Sequence, residues 1–143
     1  MEVYMTKNAP ITRHLIPEDQ RLSATADLFG TFFPLRLEPV IYGITDRMAE
    51  DYHGGYWLYY LLENGGFYMA PNWEQHFSAK SLNGWQGELS ADALGIIVCL
   101  TAYSHLSFGG PEPFARTCAE QYHLLREYMC EHPELGEILG AID

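Results

Sequence analysis

The chain has 143 residues, 48% hydrophobic and 14% aromatic, which suits one globular domain that folds without disulfide or metal staples. Nineteen acids against eight bases leave a formal charge of −11. That sign argues against a phosphate-backbone binder and against anionic lipid surfaces, because both require Lys and Arg, and it leaves a basic protein partner open.

Three cysteines, Cys99, Cys118 and Cys130, form no CxxC pair. Residues 1–8 lack the basic start and apolar run of a secretory signal. The longest apolar stretch, residues 93–102, is too short to span a bilayer. The expectation is a cytoplasmic protein with reduced thiols.

Residues 1–16 show no clear period and read as an extended or loosely held N-terminal arm. Pro17, Glu18 and Asp19 start a helix, since proline suits a first turn and acids complement the helix dipole. Leu22, Ala26 and Phe29 form its inner face, and Gly30 and Pro34 end it. A second helix runs from Glu38 to Tyr52, with Val40, Ile41, Ile44, Met48 and Tyr52 on one side.

A hairpin follows over residues 56–62 and 66–70. Asn64-Gly65 signals a two-residue primed turn, which would set Leu62 against Phe67, Leu61 against Tyr68 and Tyr60 against Met69. Residues 76–82 supply a third, edge strand with Ser78 and Lys80 on its polar side. Residues 83–88 read as a Gly-rich loop. Ser90 caps a helix over residues 91–106 that is apolar nearly all round and therefore central. Phe114, Cys118, Tyr122, Leu125 and Met129 mark the inner face of a last long helix. Pro133 breaks it, and residues 134–141 add a short one. Without βαβ alternation the expected class is α+β: a small antiparallel sheet of about three strands, centred on the 56–70 hairpin, packed with four to five helices.

Chemistry-bearing patterns are sparse. No HExxH, CxxC or EF-hand spacing occurs. His123, Glu127 and Glu131 share a helix face, but a solvated polar row is the commoner meaning of that pattern. Neither a metal nor a cofactor is expected. Cys99 and Cys118 fall on apolar faces and read as inert core thiols. Asp51 and His53 are the one candidate acid–base pair, with a helix C-terminus as the plainer explanation. The aromatics Tyr56, Trp57, Tyr59, Tyr60, Phe67 and Tyr68 crowd the hairpin. Core packing is the favoured reading, and a partner-anchoring face is the functional one.

Two long motifs carry a resemblance. One is Asp51-Tyr52-His53-Gly54-Gly55-Tyr56-Trp57, continued by Glu63-Asn64-Gly65-Gly66-Phe67-Tyr68-Met69-Ala70-Pro71. The other is Gly87-Glu88-Leu89-Ser90-Ala91-Asp92-Ala93-Leu94-Gly95-Ile96. In that order they resemble the ArdB/KlcA family of antirestriction proteins, and Tyr122–Arg126, His132-Pro133-Glu134 and Ala141-Ile142-Asp143 are similar too. The resemblance runs from about Pro17 to the end of the chain. It implies a plasmid- or mobile-element-encoded factor that relieves type I restriction of entering DNA, with no catalytic residues to carry over. The expected partner is a component of a type I restriction–modification system or an associated host factor.

Asp51, Trp57, Asn64, Glu88, Asp92 and Asp143 are the candidate partner-binding residues. Asn64 and Asp92 also have plain structural duties in the turn and at the helix dipole. Two alternatives stand beside this reading. One is an acidic DNA mimic, for which the seven acids and two bases between Glu112 and Asp143 are a sparse basis. The other is a small enzyme with a site near Asp51 and His53.

Overall fold

The computed structural model describes residues 10–143. Its elements in chain order are β1 (Arg13–Leu15), α1 (Arg21–Phe29), α2 (Glu38–Met48), β2 (Trp57–Leu62), β3 (Phe67–Pro71), β4 (Phe77–Lys80), β5 (Gln86–Leu89), α3 (Ala91–Leu106), α4 (Phe114–Met129) and α5 (Leu135–Ile142). Strands β1, β2 and β3 form one antiparallel sheet in that order, and β4 and β5 form a separate antiparallel ribbon. The class is α+β, with five helices against two small sheets.

The hairpin forms where expected, one residue out of the expected register. Leu61 faces Phe67, Tyr60 faces Tyr68 and Tyr59 faces Met69. A two-residue primed turn would need Asn64 at positive φ, and among the described residues only glycines adopt it. The chain instead uses a three-residue loop: Gly65 N–H donates to the Leu62 carbonyl at 2.9 Å, and Gly65 itself sits at φ +94°. That is a type I turn closed by a left-handed glycine bulge, and it shifts every downstream pair by one. Both hairpin faces are covered, as the sequence required: Trp57, Tyr59, Tyr60, Phe67, Tyr68 and Met69 are all buried.

The third strand of this sheet is not the predicted one. Residues 13–15, read as part of an extended or loosely held arm, are extended and pair with β2 in the register Arg13↔Leu62 to Leu15↔Tyr60. Residues 1–9 lie outside the described residues. The predicted strand exists as β4, with Phe77 and Ala79 buried and Ser78 and Lys80 exposed, but it pairs with β5. Residues 86–88, read as loop, belong to that partner strand. Alternation within β4 was local information; which strand accepts its hydrogen bonds was not.

Two helices also differ from expectation. Leu22 is 85% exposed, and the buried positions of α1 are Thr25 and Phe29. Arg21 turns the helix: its guanidinium lies 4.2 Å from the Tyr59 ring centroid and donates to the Trp57 carbonyl at 2.7 Å. Pro34 does not end the segment. A turn of π-helix, Phe33–Leu37, leads directly into α2. Pro34 and Pro39 occupy first-turn positions, where a missing N–H costs nothing. Helix α2 stops at Met48 rather than Tyr52, because Ala49 turns extended and bridges Ala79 of β4.

Helix α3 is the centre, as its composition demands: 12 of its 16 residues are buried. It lies against β3 so closely that a Cβ on Gly95 would stand 2.5 Å from the Met69 carbonyl oxygen. Side chains from α3 and α4 occupy the free edge of β3. Phe67 N–H donates to Gln121 Oε1 at 2.8 Å, Met69 N–H to Cys99 Sγ at 3.5 Å, and the Tyr103 hydroxyl donates to the Phe67 carbonyl at 2.7 Å. An edge strand buried beneath helices needs such partners. That need places Gln121 on the inner face of α4, with Tyr122 half-buried against the core beside it. Buried apolar side chains from all five helices join one core cluster.

Candidate functional site

The six candidate residues separate into scaffold and surface. Trp57 is 3% exposed, its indole N–H donating to the Tyr52 hydroxyl at 3.0 Å, so it is no surface anchor. Asn64 locks the hairpin tip onto α4. Its amide donates to the Leu124 carbonyl at 2.9 Å and to Glu127 at 3.0 Å, while its oxygen accepts from Gly66 N–H at 3.0 Å.

Asp92 is the hub of a polar network at the N-terminus of α3. It accepts from Arg13 at 2.6 Å, from the Tyr68 hydroxyl at 2.8 Å and from His132 Nε2 at 2.9 Å. His132 Nδ1 accepts from Glu134 N–H at 3.0 Å, which identifies Nε2 as the protonated nitrogen donating to Asp92. Burial alone would push the Asp92 carboxyl up. Hydrogen bonds from His132 and Tyr68, with the Arg13 charge, outweigh it and hold the group below its ordinary value. Ser90 completes the seal: its hydroxyl caps Ala93 N–H at 3.1 Å, while its own N–H donates to Glu134 at 3.0 Å. This network borders a cleft of about 500 Å³, yet both His132 nitrogens are engaged and the carboxylates are occupied. It joins β1, β3, α3 and the α4–α5 connection, which is a structural task. Arg13, His132 and Glu134 escaped the sequence reading because their roles depend on contacts with residues far away in the chain.

The remaining three candidates are exposed. Asp143 stands 3.8 Å from Arg126 at the end of α5. Asp51 and Glu88 both meet the β4–β5 ribbon: Asp51 accepts from Ser78 N–H at 3.2 Å, and Ser78 is the cross-strand partner of Glu88. Asp51 also borders a groove of about 310 Å³ formed by residues 51–56 and 71–73 with Phe77. The two loops are tied by Asn72 N–H donating to the Tyr56 carbonyl at 2.8 Å. Trp73, 56% exposed, and Tyr56, 47% exposed, form aromatic walls. The sequence reading passed over Trp73. Its signal was a lone tryptophan in the polar run 72–76, just after a strand-ending proline.

Asp51 and His53 thus share one groove, as the enzyme alternative requires, but among the described residues no Ser, Cys, Thr or Lys lines it as a nucleophile. Burial pushes the Cys99 and Cys118 thiols up to about 12, so neither is a thiolate at neutral pH. Among the described residues no cluster of three His, Cys, Asp or Glu side chains is arranged to hold a metal ion. No described helix is long and apolar enough to cross a membrane.

A family model described as antirestriction protein matches residues 50–143. The chain belongs to the antirestriction protein family. It is 39% identical over 141 residues to the antirestriction protein KlcA of Escherichia coli, covering 96% of this chain and 99% of that one. It is 36% identical over 138 residues to the putative antirestriction protein YubI of Escherichia coli K12, covering 94% and 96% of the two chains. A solved structure from work on the KlcA and ArdB proteins superposes with a TM-score of 0.86 at 39% identity, over 94% of this chain and 96% of that one. For those proteins a novel fold was described, with antirestriction activity against type I DNA restriction systems in vivo but not in vitro. The motifs shared with the family are thereby divided by structure. The glycine-rich turn and the GELSADA helix start build the scaffold, while the loop that opens at Asp51 lines a surface groove.

Proposed function

We propose that this antirestriction protein relieves type I restriction of incoming plasmid or mobile-element DNA in the cytoplasm, acting non-catalytically by contact with a protein partner. The observation that carries this reading is the superposition on the KlcA/ArdB structure across nearly the whole chain, since those proteins act in vivo against type I systems. Their inactivity in vitro supports a partner that is present in the cell and absent from the purified reaction. It also disfavours the DNA-mimic alternative, because a mimic would inhibit the purified restriction enzyme directly. The contact surface includes Asp51 and Glu88, with Asp143 as a further contact. Trp57, Asn64 and Asp92 support it from within.

The test is plating of unmodified phage on cells carrying an active type I system, with and without the protein. Expression is expected to raise plating efficiency, and the Asp51→Asn, Glu88→Gln and Asp143→Ala variants are expected to lose part of that gain while remaining folded. No gain with the wild-type chain defeats the proposal. Full activity in all folded surface variants defeats the assigned contact surface.

A further inference from the structure

The aromatic groove at Asp51 has a chemistry that selects its occupant. Trp73 and Phe77 have ring centroids 6.4 Å apart, and Tyr52 lies 6.3 Å from Phe77, so three π faces and edges crowd one small space. Asp51 lines the groove with one carboxylate oxygen held by Ser78 N–H, which orients the side chain, and among the described residues no hydrogen bond engages its other oxygen. Glu50 and Glu74 are exposed beside the lining residues, and Glu88 lies across the ribbon. Among the described residues no Lys or Arg lines the groove. The cation that reaches its wall is Arg21, whose guanidinium lies 4.8 Å from the Tyr56 ring centroid, and Lys80 is exposed two residues beyond Ser78 on β4.

We propose that this groove receives a single arginine side chain from a basic segment of the protein partner, its guanidinium lying against Trp73 and paired with Asp51. The inference rests on the partner-contact reading above and names the chemistry of that contact. The space, about 310 Å³, lies at the low end of ligand pockets, which suits one long side chain rather than a docked helix. An arginine matches all three features: a planar cation for an aromatic face, paired donors for a carboxylate, and an apolar stem for the Tyr52–Phe77 wall. The fold makes the same kind of contact beside the groove: the Arg21 guanidinium lies 4.2 Å from the Tyr59 centroid and 4.8 Å from that of Tyr56, so the Tyr56 wall already meets a cation and Trp73 is the wall assigned to the partner's arginine. A formal charge of −11 draws basic segments towards the molecule and repels nucleic acid, the other ligand that stacks on aromatics.

The experiment is an NMR titration of the full-length, isotope-labelled protein with blocked Gly-Arg-Gly and, separately, Gly-citrulline-Gly, a neutral near-isostere. A short single-stranded oligonucleotide is a third probe. The arginine peptide is expected to shift the Gly54 and Gly55 amides and the Trp73 indole N–H. The citrulline peptide and the oligonucleotide should leave them unmoved. Asp51→Asn and Trp73→Ala should each weaken binding about two- to fivefold, the scale of one exposed ion pair or cation–π contact. Both positions are exposed, and unchanged Trp57 and Tyr68 resonances would show that the variants remain folded. Equal shifts with citrulline, shifts from the oligonucleotide, shifts confined to other surfaces, or none would each overturn the proposal. In the plating assay, a wild-type chain that relieves restriction alongside an equally active Trp73→Ala variant overturns the groove inference alone. A wild-type chain that fails to relieve restriction overturns the function while the peptide result stands by itself.

Discussion

Asp92 shows how a single side chain acts at a distance from any partner. Its carboxylate is the common acceptor for Arg13, Tyr68 and His132, groups drawn from β1, β3 and the α4–α5 connection. Asp92→Ala leaves those donors without their acceptor and should destabilise the fold by about 3 kcal/mol in urea unfolding. The carboxyl sits below its ordinary value of 3.8 in the folded state, so its contribution is fully present above about pH 4. That contribution drains away as pH falls through the lowered folded value. The stability gap between wild type and Asp92→Asn should therefore be widest near neutrality and narrow steadily below about pH 4. A gap that stays constant into acid would refute the linkage.

At the scale of elements, the decisive contact is helix α3 against strand β3. Gly95 lets the helix backbone approach the strand: an added Cβ would stand 2.4 Å from the Ala70 Cβ and 2.5 Å from the Met69 carbonyl oxygen. Backbone cannot swing aside as a long side chain can. Gly95→Ala should therefore cost stability at the upper end of the about 1–3 kcal/mol typical of overpacking, read as a lower urea midpoint. The same approach lets Cys99 and Tyr103 reach the edge of β3. A second consequence of Gly95→Ala should thus be faster amide exchange at Met69. Wild-type stability in this variant would mean that α3 sits farther from the sheet.

For the molecule as a whole, charge and shape set what it can meet. The −11 charge means that the protein should not retard duplex DNA in a gel at physiological salt. The proposed hold on a protein partner, if built on aromatic and short-range contacts, should survive an about tenfold rise in salt with modest loss. A DNA mimic would lose its restriction complex steeply over the same range. Capture of the partner from cells carrying a type I system, washed at low and high salt, distinguishes the two.

How much of this could be read from the sequence followed from the range of the forces involved. Helix and hairpin positions, the Ser90 cap, the central place of α3 and the family resemblance all rest on neighbours within a turn or on contiguous motifs, and these were legible. The hairpin register was nearly so; it slipped by one because Asn64 keeps negative φ and Gly65 alone takes the left-handed turn position. The pairing of β1 with β2, and of β4 with β5, was decided only by tertiary structure, since edge hydrogen bonds carry no local signature. The same holds for the candidate residues. Composition presented Trp57, Asn64, Asp92 and Asp51 as equals; packing buried Trp57, and hydrogen bonds tied the half-buried Asn64 and Asp92 into the framework. The fourth was left beside an unforeseen Trp73, because a site between two loops exists only once the chain has folded.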